Sequence, residues 1–261
     1  MENDDAIDRL NAKAYSSNTA RKFYDRRGQL YPPERLIFDR LRPLLTGKRL
    51  LDIGVGGGRT TPFLLEISRD YSAIDYSPPL VDAVKRKYGI RSAYVCDVRN
   101  MTVLTDAAFD FVLFSFNGLD CVDHAGRMKA LREIHRVLKP GGLFLFSSHN
   151  RNSPDVGKRP WQSSQRRFSW SLIKQSAWAL LFLPRHWRMR RFEMRTAEYA
   201  ILNDGGLRYL SMCYYVTPQT QLTQLEQVGF SSVELFDLDG YLCAADTTTP
   251  WVHYLVRKPL T

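Results

Sequence analysis

The apolar run Arg49–Ile53 ends directly in glycines: Leu51-Asp52-Ile53-Gly54-Val55-Gly56-Gly57-Gly58-Arg59. A buried strand that runs through glycines into a helix restricts the fold more than any other feature here. Glycine admits positive φ and leaves room for a ligand to touch backbone. The alternation then repeats. Tyr71–Tyr76, Ser92–Asp97, Phe109–Phe116 and Leu143–Ser148 read as strands, the third of these apolar throughout and therefore buried on both faces. Helices open at Pro32-Pro33-Glu34, follow Ser77-Pro78-Pro79 as far as Tyr88, and span Ala125–Leu138, the last stopped by Lys139-Pro140-Gly141-Gly142. Strands alternating with helices at these lengths predict an α/β fold with a doubly wound, mostly parallel sheet. Beyond residue 198, Tyr199–Leu202 and Leu207–Val216 read as a hairpin around Asn203-Asp204-Gly205-Gly206. Thr220–Val228 reads as a helix, and Ser232–Leu238 and Trp251–Arg257 as two last strands. The first 30 residues are polar, with a short helix expected around Thr19–Arg26.

Two acids extend the glycine signal. Asp75 closes the second strand, where an acid in a doubly wound sheet can accept both ribose hydroxyls of a nucleoside. Asp97 closes the third strand, where it can accept from an adenine amine. All three features fall at the carboxyl ends of neighbouring strands, the edge at which such sheets bind ligands. A dinucleotide fingerprint needs glycine at the sixth place of its loop, which here is Arg59, so that version is excluded.

The spacing Asp52-x-Gly54-x-Gly56-x-Gly58 instead resembles the first motif of class I S-adenosylmethionine-dependent methyltransferases. The resemblance continues through Asp75, Cys96-Asp97-Val98, Phe109–Phe114 and Arg136-Val137-Leu138-Lys139-Pro140-Gly141-Gly142, covering residues 45–150 in order. It implies a seven-stranded Rossmann-like sheet and S-adenosyl-L-methionine as cofactor, with S-adenosyl-L-homocysteine as product. It implies that Asp52, Gly54, Gly56 and Gly58 line the methionyl side, that Asp75 holds the ribose, and that Asp97 and Val98 fix the adenine. Ser115, Phe116 and Asn117 would border the transferable methyl. An N-terminal tyrosine often folds over the cofactor in this family, which makes Tyr15, Tyr24 and Tyr31 candidates.

Methyl transfer is a displacement at an already activated carbon, so positioning supplies most of the protein's share. A base is needed only for a protonated acceptor. His149, following Phe146-Ser147-Ser148 on the expected cofactor rim, is the candidate base, against the alternative of a structural histidine bonding a loop. Asp120 and Asp123 read as solvated loop or helix-capping residues, and His135 and His253 as structural. Exocyclic-amine DNA methylation is disfavoured, because the place after the fourth strand reads Ser115-Phe116-Asn117-Gly118 and lacks the Pro-Pro-aromatic signature. Cytosine C5 chemistry is disfavoured too, because Cys121 follows Asp120 rather than proline.

Charge is concentrated. Eleven of the 37 Lys and Arg but only two of the 27 acids lie between 151 and 195, so nearly all of the net charge of +10 comes from this stretch. The same stretch holds Trp161, Trp170, Trp178 and Trp187, four of the five tryptophans, with Phe168, Phe182 and Phe192. It interrupts the strand–helix alternation and reads as an insertion, with three competing roles. These are a cap walling an apolar acceptor pocket, a peripheral contact with an anionic membrane surface, and a nucleic-acid surface, the least favoured of the three. The expected organisation is therefore N-terminal helices over the cofactor site (1–45), a cofactor-binding core (46–150), a basic aromatic cap (151–198), and a C-terminal part completing the sheet (199–261). The four cysteines form no CxxC pair, so no metal site is expected. With an acidic N-terminus lacking an apolar leader and no run long enough to span a bilayer, a cytoplasmic enzyme is expected. The expected acceptor is an oxygen or nitrogen of a small molecule. The alternatives are RNA methylation through the basic insertion, or cofactor binding without catalysis.

Overall fold

The structure is a computed structural model describing residues 2–17, 29–158 and 170–260. Four short parallel strands form one half of the sheet: β1 (Leu50–Ile53), β2 (Tyr71–Asp75), β3 (Ala93–Val95) and β4 (Phe109–Phe114). They lie in the order β3-β2-β1-β4, followed by the long β5 (Leu138–Asn150) parallel to β4. β10 (Trp251–Arg257) runs antiparallel along the other edge of β5, and β9 (Ser231–Phe236) lies outside it.

The amphipathic helices cover both faces. α2 (Pro32–Leu45), α3 (Thr61–Ile67) and α4 (Pro78–Tyr88) bury Ile37, Leu41, Leu64, Val81 and Val84 on one side. α5 (His124–Val137) and α8 (Pro218–Val228) bury Leu131, Ile134 and Leu225 on the other. The expected punctuation is present. Asp123 caps α5 by accepting from Gly126 N at 2.6 Å, and Gly89 and Gly229 end α4 and α8 in the left-handed conformation.

Seven strands were the expectation, whereas ten strands join one sheet. The reason is the length of β5. Its pairing with β4 stops at Phe114↔Phe146, leaving an overhang that includes His149 and Asn150. β8 (Cys213–Val216) fills that open edge in parallel, pairing His149↔Tyr215 and Asn150↔Val216. β7 (Tyr199–Leu202) and the two-residue β6 (Met194–Arg195) continue outward. β5 also begins at Leu138 rather than Leu143, because Lys139–Gly142 are taken up as an irregularity in the β4–β5 pairing.

Other boundaries moved as well. The second arm of the hairpin starts only at Cys213, since Leu207, Arg208 and Tyr209 all take positive φ and turn the chain. An unexpected helix, α1 (Glu2–Tyr15), packs Ile7 with Met212 and Tyr214. The helix expected at Thr19–Arg26, together with Tyr24, lies outside the described residues. The insertion contributes α6 (Trp170–Leu181) and α7 (Leu183–Met189), whereas Trp161 and Phe168 lie outside the described residues.

Candidate active site

The glycine turn opens a cavity of about 210 Å³ across the carboxyl ends of β1, β2 and β4. Gly54 and Gly56 adopt positive φ of 63° and 53°. A side chain at Gly54 would also meet the Phe114 ring at 2.8 Å. Gly54, Gly56 and Asp52 line the cavity, but Gly58 does not. Its Cβ would collide with the Tyr88 ring, and its carbonyl accepts from the Tyr88 hydroxyl at 2.8 Å, so this glycine serves helix packing rather than the cavity wall. Asp52 is buried, accepting from Thr60 Oγ1 at 2.7 Å and from the Tyr71 hydroxyl at 2.9 Å. Burial pushes its carboxyl up to about 6, with those two hydrogen bonds opposing the shift.

Asp75 also lines the cavity. Gly56 N and Ser77 N donate to its two oxygens at 2.9 Å each, which fixes the carboxylate plane while leaving further lone pairs for a ligand. Burial raises its carboxyl above the ordinary aspartate value despite those donors. Asp97 and Val98 line the same space, although Arg99 Nε and Nη2 already fork onto the Asp97 carboxylate at 3.0 and 2.7 Å.

Beside the end of β4, Arg59, Ser115 and Phe116 line the cavity, with Glu34 behind them. Arg59 donates bidentately to Glu34 at 2.6 Å and also bonds Ser115, and its guanidinium lies 5.2 Å over the Tyr31 ring. Burial would raise the Glu34 carboxyl, but Arg59 more than offsets it and holds it low. Tyr31 stacks on Phe116 at 5.8 Å and stands behind the lining rather than in it. Tyr15, from α1, does line the cavity, as do Asp8 and Asn11 of the same helix. Tyr15 is one of the three tyrosine candidates, whereas Asp8, Asn11 and the neighbouring Ala12 were missed. Their signal was the spacing of Ile7, Leu10 and Ala14, which marks an amphipathic helix in an otherwise polar stretch.

His149 lies outside the cavity lining, on the β5 overhang. Its Nδ1 and its backbone N–H both meet Asp120 Oδ2 at 2.7 Å. Asn117 Nδ2 lies 3.2 Å from its Nε2, so Asn117 also belongs to the histidine rather than to the cavity wall. Asp120 is fully buried, which corrects its reading as a solvated loop residue. The cause is Arg127, itself fully buried, whose Nη1 donates to Asp120 Oδ1 at 2.5 Å. Arg127 is further satisfied by Leu119 O, Ser148 Oγ and Gln221 Oε1, with the Tyr214 ring 4.6 Å away. Burial would raise the Asp120 carboxyl, but Arg127 and His149 hold it low. Burial would depress the His149 imidazole, but the Asp120 carboxylate overrides this and raises it above 6.5. The sequence did carry a signal for Arg127, which sits on the same helical stripe as the apolar Leu131 and Ile134.

A doubly wound sheet with a glycine turn, and a ribose-competent carboxylate at the next strand, defines a Rossmann-like nucleoside-binding domain. Residues 51–146 match the family described as Methyltransferase domain. A ubiquinone biosynthesis O-methyltransferase from Xanthomonas oryzae is 33% identical over 141 residues, 51% of this chain and 58% of that protein. A malonyl-[acyl-carrier protein] O-methyltransferase from Serratia marcescens is 31% identical over 102 residues, 39% of this chain and 38% of that protein. The chain thus spans little more than half the length of the first of these relatives. The fold is shared with an S-adenosylmethionine-dependent methyltransferase from Mesorhizobium loti, with a TM-score of 0.58 and 18% identity over 87% of this chain and 98% of the other. It is also shared with a Burkholderia thailandensis N1-methyltransferase crystallised with S-adenosylhomocysteine, with a TM-score of 0.51 and 16% identity over 85% and 78% of the two chains. Residues 51–146 are thus similar in sequence to methyltransferase domains, and the fold is the one found in S-adenosylmethionine-dependent methyltransferases. The cavity fits that cofactor: a fixed buried carboxylate faces it, glycine backbone borders it, and Ile74, Leu80 and Val98 give it flat apolar walls.

Proposed function

We propose that the protein transfers the methyl group of S-adenosyl-L-methionine to an oxygen or nitrogen of a small-molecule acceptor, with His149 as the base where that atom is protonated. The observation that carries this reading is the Arg127–Asp120–His149 chain, which is buried and hydrogen-bonded throughout and ends at His149 Nε2, 3.2 Å from Asn117 Nδ2. The cofactor supplies an activated methyl. The chain's own residues supply the rest. Asp75 fixes the ribose, and the glycine turn and the Phe116 wall hold the methyl end in place. A nucleophile then needs to lie about 3–3.5 Å away and in line with the leaving sulfur. Asp120 keeps Nδ1 protonated, so Nε2 presents a lone pair to the acceptor's proton. The relatives named as O-methyltransferases support an oxygen acceptor.

The insertion supports a lipid-like acceptor presented at a surface. None of its described residues lines the cofactor cavity. Its helix pair instead leans on the β7–β8 arm, with His186 Nδ1 2.9 Å from Asn203 Oδ1 and Arg208 4.7 Å from the Trp178 ring. Trp170, Leu181 and Trp187 remain 79%, 66% and 59% exposed among Lys174, Arg185, Arg188, Arg190 and Arg191. Exposed tryptophan and leucine beside arginine is the composition of a helix lying in an anionic headgroup layer. No helix among the described residues is long and apolar enough to cross a membrane. The reading is therefore a cytoplasmic enzyme in peripheral contact with lipid. A tritium-labelled methyl donor added with cell extract tests the acceptor. Label in the small-molecule or lipid fraction supports the proposal. Label in RNA would support the basic insertion as an RNA surface, and label in no fraction would leave a cofactor-binding module.

A further inference from the structure

We propose that His149, Asp204 and Cys213 form a three-ligand site for a zinc-class divalent cation. The three residues are distant in sequence and carry no metal-binding spacing, but the β5–β8 pairing and the turn before β8 bring them together. Their ligand atoms, Nε2, a carboxylate oxygen and Sγ, all lie within 4.8 Å of one another.

The spacing is informative. His149 Nε2 stands 3.8 Å from Asp204 Oδ2. That is beyond a direct hydrogen bond, which ends near about 3.2 Å. It is also short for a bridging water, whose two bonds at a tetrahedral angle span roughly 4.5 Å. Bonds of about 2.0–2.2 Å from a nitrogen and an oxygen to a tetrahedral zinc place those two donors roughly 3.3–3.6 Å apart, so this pair needs to close by only a few tenths of an ångström. A nitrogen, an oxygen and a thiolate together favour zinc over magnesium or calcium, which prefer all-oxygen shells.

Two of the three ligands are also oriented from behind. Asp120 Oδ2 holds His149 Nδ1 at 2.7 Å, the carboxylate–histidine support that fixes the ring and leaves Nε2 forward. Asp204 is held at Oδ2 by the Tyr215 hydroxyl at 2.7 Å and at Oδ1 by Gly206 N at 3.0 Å. Cys213 is buried on β8. A second observation points the same way. Asn117 Oδ1 is buried without a hydrogen-bond partner, while its Nδ2 stands 3.2 Å from the same Nε2. Turning the amide by 180° removes that donor and offers its oxygen to the fourth coordination position. Nε2 cannot bind a cation and accept a proton at once, so metal loading and the base role exclude each other. The site itself does not depend on the methyl-transfer reading.

Titration of the metal-free full chain with Co²⁺ tests the site without any activity measurement. The expected result is one equivalent bound, with a thiolate-to-cobalt charge-transfer band and the visible bands of a tetrahedral centre, displaced stoichiometrically by Zn²⁺. Cys213→Ser should abolish the charge-transfer band while leaving S-adenosylhomocysteine binding and Tm unchanged. Tyr215→Phe should weaken Zn²⁺ binding by about 10–100-fold, as loss of an outer partner does elsewhere. Absence of the band at one equivalent would overturn the proposal. So would its persistence in Cys213→Ser, or an unchanged Zn²⁺ affinity in Tyr215→Phe.

Discussion

Asp75 and Asp120 are both buried aspartates beside the carboxyl edge of the same sheet, yet their surroundings are opposite. Asp75 is held only by backbone N–H groups and faces a cavity, and burial raises its carboxyl. Asp120 is enclosed by a guanidinium, a hydroxyl and an imidazole, and against the upward push of burial the guanidinium and the imidazole lower it. The first region is built to receive something from outside. The second is complete in itself and passes its charge to one histidine. A carboxylate with unspent acceptor capacity marks a binding site, and one with every lone pair engaged marks a positioning device.

The contrast can be broken at several points. His149→Ala removes the group the second region serves, and kcat on a hydroxyl acceptor should fall by about 10²–10⁴-fold with S-adenosylhomocysteine affinity unchanged in calorimetry. Equal losses in both would merge the two regions. Arg127→Met strands Asp120 as an unpaired buried charge, and urea unfolding should report a loss of about 3–5 kcal/mol. Asp75→Ala should weaken cofactor binding by roughly 10–100-fold, two charge-assisted hydrogen bonds being lost, with the denaturation midpoint barely moved. An unaltered affinity would remove Asp75 from the ribose role.

The pH profile sharpens the comparison further. A base must be deprotonated to act, and the His149 imidazole is raised above 6.5, so the rate should climb with pH through that raised value. Asp120→Asn should move the rise to lower pH. The linked stability has the reverse sense. A raised imidazole stabilises the fold fully below its unfolded value and loses that contribution as pH rises through the folded one. The lowered Asp120 carboxyl contributes at neutral pH and loses its contribution as pH falls through the folded value. The smallest expected effect is that of Trp187→Ala. It should change stability by no more than about 0.5 kcal/mol, as for most surface substitutions, while reducing sedimentation with anionic vesicles.

The half of the site built by adjacent motifs was readable, and the half built by distant pairing was not. Gly54, Asp75 and Asp97 each terminate a strand that announces itself by its own apolar run, so their convergence follows from the parallel alternation alone. Asp120 looked like a loop residue because the helical stripe that marks Arg127 as buried does not show which acid it will meet. Gly58 satisfies the motif spacing but packs on Tyr88, since spacing fixes which residues share a turn and not which face the ligand. α1 was missed because its first turn is acidic and only three apolar positions mark its buried side. The pairing of Tyr215 with His149, and with it the ten-strand count, depends on β5 outrunning β4, which no local pattern records.

That outrunning strand has a consequence for how such a chain can change. His149 rides on the central ladder itself, and its side-chain hydrogen bonds run to Asp120 and Asn117 on the connection between β4 and α5. On the proposed reading, the aromatic, arginine-rich insertion can therefore be rewritten, lengthened or exchanged while His149 stays where it is. Acceptor choice and proton removal would then be separable inheritances in this architecture.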